Sequence, residues 1–217
     1  SYVQSEINML MKVAESFGIK INTFTHILEG YKVATKMAKH GAGGGSFSDW
    51  WAYKYEVIDA IPYNGPILSE AGVLVAYNSD NAEMIRRLNQ EAAKAVKYGG
   101  LSEEEAWKYV TLNPAKLLRI DDKVGSIAIG KHADLVIWSH NPLSIYAVAE
   151  KTIIEGAIFY DYSKLDEKIE QNEKEREIII TQLKDAKKDG AKTQPAPVID
   201  KRYFECETID IVNENVQ

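Results

Sequence analysis

Residues 73–100 read VLVAYNSDNAEMIRRLNQEAAKAVKYGG, and this stretch decides the fold class. Its first four residues form a short apolar run with β-branched side chains, which is typical of a buried strand. An apolar stripe at helical spacing follows, formed by Ile85, Leu88, Ala92, Ala95 and Val96. A strand that leads directly into a helix predicts a βα unit of an α/β fold.

Three polar residues, Asn78, Ser79 and Asp80, separate the predicted strand from the predicted helix. The carboxyl end of a strand is where α/β folds place their chemistry, so Asp80 is the first candidate functional residue. Ser, Asp and Asn are also the preferred caps of a following helix. A catalytic or ligand role and a capping role therefore both remain open for Asp80.

A second βα unit lies upstream, with strand-like alternation over residues 19–25 and helical spacing over residues 28–41. His26 stands between them, at the place that corresponds to Asp80, although a single histidine there also suits a hydrogen-bonded structural role. The carboxyl ends of parallel strands open on one mouth, so we expect His26 and Asp80 to converge. Their side chains should lie about 4 to 7 Å apart, the span of a metal and its water.

The glycine-rich stretch AGGGSFS, residues 42–48, suits either a short strand or a loop. A phosphate cradle requires its glycines between a strand and a following helix, and here a predicted helix precedes them. The stretch therefore favours a permissive turn or a close approach of backbones.

Residues 49–65, DWWAYKYEVIDAIPYNG, combine aromatic and charged side chains without a clear period. A loop of this composition suits a binding surface, or a surface segment that its aromatic rings anchor to the core.

The alternation of strands and helices predicts parallel βα units over residues 5–118, in a barrel or a doubly wound sheet. After that the period changes: residues 124–129 alternate, residues 135–138 are apolar, and residues 152–160 suggest two strands around a turn. Residues 163–188 are rich in Lys, Glu and Asp, with a narrow apolar stripe formed by Leu165, Ile169, Ile180 and Leu183, which predicts a solvated helix with one face packed. The domains expected are 1–120, 121–162 and 163–217, and the tail could add an edge strand.

The composition is that of an ordinary globular chain, with 45% apolar and 27% charged residues. The net charge of -6 argues against a nucleic-acid partner, and no run of 18 apolar residues predicts a membrane span. The first residues show no targeting segment. One cysteine, Cys206, cannot form an internal disulfide, so a cytoplasmic and a periplasmic location both remain open, and no second cysteine or nearby histidine supports it as a metal ligand.

The order of several blocks resembles the C-terminal half of amidohydrolase-superfamily enzymes, in particular the imidazolonepropionase-like and prolidase-like metal-dependent hydrolases. The resemblance covers residues 1–161, and its most specific block is VGSIAIGKHADLVIW. The other blocks are THILEGYKVA, HGAGGGSFSDWWAYKYEVIDAIPYNG, VLVAYNSD, LNQEAAKAVKYGGLSEEEA, TLNPAKLLRIDDK and NPLS.

The resemblance implies a (β/α)8 TIM-like barrel, a small β module, and one or two divalent metals, zinc above all, at the barrel mouth. On this chain His26 matches the sixth-strand histidine ligand and Asp80 the eighth-strand aspartate, which is both ligand and catalytic base. No His-x-His pair is present among His26, His40, His132 and His140. The chain therefore resembles a C-terminal portion that carries only part of the metal site.

The implied reaction is metal-dependent hydrolysis of C–N bonds in cyclic amides or small peptides. The implied partners are a small amide or peptide substrate and the N-terminal half of the barrel, from the same protein or a companion fragment, and a homo-oligomer is compatible with the resemblance. By position, the substrate-lining residues would be Trp50, Trp51, Tyr53, Lys54, Tyr63 and Asn64. The alternative is a non-catalytic binding or scaffold module, and either way the chain alone is expected to be inactive.

Overall fold

The computed structural model describes residues 1–50, 52, 54–192 and 194. The chain divides into two compact units, Ser1–Tyr162 and Ser163–Gln217. The boundary predicted at residue 120 falls inside the first unit. Residues 201–212, which include Cys206 and the segment expected to add an edge strand, lie outside the described residues.

In the described part of the chain, the α-helices are α1 Gln4–Ser16, α2 Ala34–His40, α3 Asn64–Glu70, α4 Leu88–Gly99, α5 Glu103–Lys108, α6 Leu112–Leu118 and α7 Leu165–Lys188. The strands are β1 Thr23–Phe24, β2 Gly43–Ser46, β3 Val75–Tyr77, β4 Leu135–Trp138, β5 Ala149–Ile154 and β6 Ala157–Asp161. Single 3-10 turns occupy Gly30–Val33, Tyr55–Val57, Met84–Arg87 and Tyr162–Lys164. None of the described helices is long and apolar enough to cross a membrane.

The first sheet is parallel and has the strand order β1-β2-β3. Thr23 lies opposite Gly43, and Gly44 lies opposite Val75, so β2 is paired on both sides. The predicted parallel βα units are therefore confirmed, although β1 and β3 are shorter than the predicted strands. Because all three strands point the same way, the residues that follow them emerge at one edge of the sheet.

The glycine-rich stretch is the central strand of this sheet, and every residue of β2 is buried. A Cβ atom on Gly43 would lie 2.2 Å from a methyl carbon of Leu117, and one on Gly44 would lie 2.3 Å from a methyl carbon of Ile27. These distances are far below van der Waals contact. The close-approach interpretation therefore fits, because Gly43 and Gly44 leave room for the side chains of Leu117 and Ile27 to pack directly against the strand.

The helices cover this sheet with a core that includes Ile7 of α1, Met37 of α2 and Leu68 of α3, all with fully buried side chains. His40 belongs to this packing and not to a metal site. Its Nε2 accepts the N–H of Ile21 at 3.0 Å, and its Nδ1 lies 2.8 Å from Glu15 Oε1.

Helix α1 begins after Val3 without a side-chain cap. Pro114 lies in the first turn of α6, where proline is tolerated because the backbone N–H has no helical partner. One local prediction needs correction, the alternating stretch at residues 124–129. Residues 121–134 contain no strand, and Ile127 is exposed.

The second sheet is antiparallel with the order β4-β5-β6, and it matches the strands predicted at 135–138 and 152–160. Adjacent residues of β4, Val136 and Ile137, are both exposed, as are Ile158 and Phe159 of β6. Successive residues of a strand point to opposite faces, so both faces of this sheet present apolar side chains.

The second unit contains α7, and none of its residues is buried. Ile180 is half-buried, whereas Ile169 and Leu183 of the predicted stripe are exposed.

Candidate metal centre

His26 lies two residues after β1 and adopts a left-handed backbone conformation, with φ of 59°. Such a conformation is uncommon for a residue other than glycine and marks a constrained position. The imidazole is stacked between two aromatic rings, with centroids 5.8 Å from Tyr2 and 5.4 Å from Phe47. The backbone and the two rings together fix the plane of the imidazole.

Asp80 follows β3, and its Oδ2 lies 3.0 Å from His26 Nε2. The strands that carry the two residues are separated by β2, so their side chains meet across the end of the central strand. The side chains of His26 and Asp80 remain 33% and 28% exposed, which leaves the pair accessible. The expected convergence is present, at a shorter distance than the 4 to 7 Å anticipated.

The capping role considered for Asp80 belongs to its neighbour. Asn81 Oδ1 accepts the backbone N–H groups of Glu83 and Met84, at 2.8 and 3.0 Å. The side chain of Asp80 is therefore directed to His26 and not to the following turn.

The pair fits two ligands of one zinc ion. A neutral imidazole and a carboxylate are both zinc ligand types, with bonds of about 2.0 to 2.2 Å. Two such bonds at a tetrahedral angle place their donor atoms about 3.4 Å apart, close to the 3.0 Å that separates Nε2 from Oδ2.

The pair is not a complete site. Within the described ranges, no group of three or more His, Cys, Asp and Glu side chains could hold a metal ion. A catalytic zinc site normally has three protein ligands and an open position. Glu29, another acid near His26 in sequence, is buried and accepts the N–H of Gln4 at 2.9 Å, so it supports the start of α1.

Two of the predicted substrate-lining residues lie in the aromatic array around His26. The Trp50 ring stacks on Phe47 at 4.4 Å, and Lys54 Nζ lies 4.3 Å from the centre of the Tyr2 ring. The rings Tyr2, His26, Phe47 and Trp50 thus form one stacked series beside the candidate ligands. Trp51 and Tyr53 lie outside the described residues.

Tyr63 and Asn64 are placed differently. The exposed Tyr63 ring packs edge-on against the ring of Tyr98, near the end of α4. Asn64 is 1% exposed, and its side chain bonds to Tyr31 N at 2.8 Å, to Ile27 O at 2.9 Å and to Ser46 Oγ at 2.9 Å. With every contact inside the protein, Asn64 has a structural role, and its assignment to the substrate surface is corrected.

Sequence reasoning missed a charged cluster formed by Ser48, Asp49, Glu91 and Lys94, in which Ser48 and Glu91 are buried and Asp49 and Lys94 are half-buried. Lys94 Nζ lies 2.8 Å from Asp49 Oδ1 and 3.0 Å from Glu91 Oε1, and Ser48 Oγ donates to Glu91 Oε2. Burial lowers the pKa of Lys94, but hydrogen bonds to Asp49 and Glu91 outweigh burial and raise that pKa above its ordinary value. The cluster fastens the loop after β2 to α4. The Glu91–Lys94 spacing on one helix face was the only signal in the sequence.

Replacing Lys94 with methionine should lower the free energy of unfolding by about 3 kcal/mol, because Glu91 and Asp49 would lose the cation that compensates their burial. The raised pKa means that Lys94 stabilises the fold fully below the ordinary lysine pKa of about 10.4 and loses this effect as pH rises through its folded-state pKa. Denaturant unfolding at pH 7 and above pH 10.4 should therefore show a smaller difference between the two proteins at high pH. The exposed Lys97→Met on the same helix is the control, and an equal loss there would contradict the assignment.

Residues 65–192 match the model of the amidohydrolase family. Amidohydrolase tasK of Hapsidospora irregularis is 28% identical over 165 residues, which is 74% of this chain and 17% of that protein. Imidazolonepropionase of Shewanella baltica is 55% identical over 38 residues, 18% of this chain and 9% of that protein.

Among solved structures, an amidohydrolase from Thermotoga maritima MSB8 superposes with a TM-score of 0.68 and 30% sequence identity. The match covers 74% of this chain and 42% of that one. The chain thus spans less than half the length of each of these relatives.

Proposed function

Since the chain belongs to the amidohydrolase family, we propose that it is the C-terminal part of a metal-dependent hydrolase that cleaves C–N bonds in cyclic amides or small peptides. The observation that carries the proposal is the 3.0 Å contact of His26 Nε2 with Asp80 Oδ2 at the shared carboxyl edge of a parallel sheet. Two chemically distinct zinc ligand types meet there, on strands that are not neighbours.

His26 and Asp80 would hold a divalent ion, with zinc as the first choice and one or two ions in the complete site. When bound, the ion supplies a Lewis acid that acidifies water and polarises the scissile carbonyl. Tyr2 and Phe47 keep the imidazole in a fixed plane through their stacking contacts. The Asp80 carboxylate accepts a proton from the attacking water as the C–O bond forms, and then passes that proton to the leaving nitrogen as the C–N bond breaks.

Substrate would approach past the stacked series, where Trp50 and Lys54 line the exposed side. Trp51 and Tyr53 are proposed for this surface as well because they adjoin Trp50 and Lys54 in the sequence. An aromatic wall with one ammonium group suits a small amide or peptide that carries both an apolar part and a carboxylate.

Several features support the idea that an upstream half completes the barrel. Among the described residues, the parallel sheet ends in β1 and β3, each of which pairs only with β2. Parallel sheets are almost always covered on both faces and continued by further strands. The apolar side chains on both faces of the second sheet, including Val136 and Ile137, also suit a covering segment. The missing half would come from the same protein or from a companion fragment.

A paired assay tests the proposal. The 217-residue chain alone should show no hydrolysis of dipeptides or cyclic amides with Zn²⁺ present, because two donors do not make a catalytic site. Adding the upstream half, as one chain or as a separately expressed fragment, should produce activity that a chelator removes. Intact-mass measurement of the purified sample identifies a companion fragment.

Full activity from the isolated chain would contradict the split-site proposal. A non-catalytic scaffold is the second candidate, and the observation in its favour is that the described residues contain no group of three potential ligands. That candidate predicts no activity from the completed barrel and no metal bound at His26 and Asp80, as measured by metal analysis of the purified complex.

A further inference from the structure

Helix α7 carries a seven-residue repeat that the proposed hydrolase does not use. One line of residues along the helix, here called the seam, contains Leu165, Ile169, Asn172, Arg176, Ile179 and Leu183. Their spacing alternates between four and three residues, the spacing of the a and d positions of a coiled coil. None of these residues is buried, and Ile179 is 47% exposed and Leu183 63% exposed.

The order of residue types along this seam reads the same from either end. Leucine and isoleucine come first, then two polar residues, then isoleucine and leucine. In an antiparallel pair centred on residue 174, Leu165 of one helix would therefore face Leu183 of the other, and Ile169 would face Ile179. Each of these pairs joins a d position to an a position, which is how the layers of an antiparallel pair are composed.

The charges favour the same orientation. The first nine residues of α7 contain four acids and one lysine, whereas its last eleven contain three lysines and one aspartate. A parallel pair would place the acidic halves together and repel, since like charges across a helix pair disfavour it. An antiparallel pair places each acidic half beside a basic half.

We propose that α7 of one chain pairs with α7 of a second copy as an antiparallel two-stranded coiled coil. Asn172 faces Arg176 of the second copy in the two central layers, and the acids Glu173 and Glu175 flank that arginine. Polar residues at seam positions fix the register and orientation of a coiled coil but lower the stability of the pair. The outer Leu and Ile layers therefore stabilise the dimer, and the central Asn172 and Arg176 layers determine its alignment. The second copy is favoured over another partner because the seam and the charges are complementary to themselves.

Spin-label distances test the orientation in the whole chain, with Cys206 replaced by serine. Cysteines introduced singly at Glu167, Lys174 and Thr181 occupy the same outward heptad position and leave the seam intact. In the antiparallel pair the labels at 174 lie level with each other, whereas labels at 167 or 181 are offset along the axis by about 21 Å, from a rise of 1.5 Å per residue. The interchain distance should thus be shortest at 174 and longer by the same amount at the other two sites.

Two adjacent isoleucines supply a matched pair of variants. Ile179→Asp places a carboxylate in the seam and should weaken dimerisation, measured by sedimentation equilibrium, by about tenfold or more. Ile178→Asp is the control, because Ile178 is also exposed but lies off the seam. Equal interchain distances at the three labelled sites would indicate a parallel pair and overturn the proposal, as would a monomeric chain or equal effects of the two aspartate variants.

Discussion

Asp80→Asn in the completed enzyme is expected to lower kcat by about 100-fold or more, the usual scale for loss of a general base. Asparagine keeps the shape of the side chain and its contact distance to His26, but its amide cannot accept the proton of the attacking water. KM should change much less than kcat, since the residue acts on the reacting atoms. The measurement is steady-state hydrolysis of the best dipeptide or cyclic amide found in the paired assay.

Metal content separates the two roles proposed for Asp80. If the residue is a ligand as well as a base, the variant should also hold less metal after dialysis, and excess Zn²⁺ should restore occupancy without restoring kcat. Asp122→Asn is the control, because Asp122 is exposed in the segment between the two sheets. Normal turnover by the Asp80→Asn enzyme would remove Asp80 from the catalytic site.

Asn64→Leu should give a large loss of stability, about 4 kcal/mol in the free energy of unfolding. Leucine has nearly the same size, but it would leave Tyr31 N–H, Ile27 C=O and Ser46 Oγ without the partner they have in the core. Each buried polar group that loses its partner costs about 1 to 3 kcal/mol. Chemical denaturation of the purified chain measures the difference.

The contact with Ser46 provides an internal check on Asn64. Ser46→Ala should cost less in the Asn64→Leu background than in the native chain, since the hydroxyl then has no partner to lose. Asn8→Leu on α1 is the control, because Asn8 receives a single bond from an exposed lysine. A loss from Asn8→Leu as large as that from Asn64→Leu would show that the effect belongs to surface chemistry and not to the buried bonds.

The approach of His26 to Asp80 could be predicted from sequence, because a polar residue within a few positions of a strand end takes its position mainly from that strand. The role of Asn64 could not, since its partners lie up to 37 residues away. The same holds for Lys94, whose contact with Asp49 spans 45 residues. The aromatic-rich segment has no regular spacing of apolar residues, so its sequence does not predict such long-range side-chain contacts.

The strands also show that sequence patterns alone do not reveal long-range pairing. The branched apolar side chains of residues 73–76 predict a strand. The glycines of β2 form no such pattern, and they are equally compatible with a loop. The strand predicted at 124–129 is absent for the opposite reason, because Ile127 fits the alternation but pairs with no strand among the described residues. Alternation indicates a strand only where a partner is available in three dimensions.

The three glycines of the central strand also have a consequence for the order of folding events. Since Gly43 and Gly44 bring no apolar surface of their own, β2 gains little until Ile27 and Leu117 already occupy the space beside it. Glycine also loses more backbone entropy on ordering than any other residue. The two parallel pairings of β2 should therefore form late, after the transition state, so that changes within this strand mainly alter how fast the native chain unfolds.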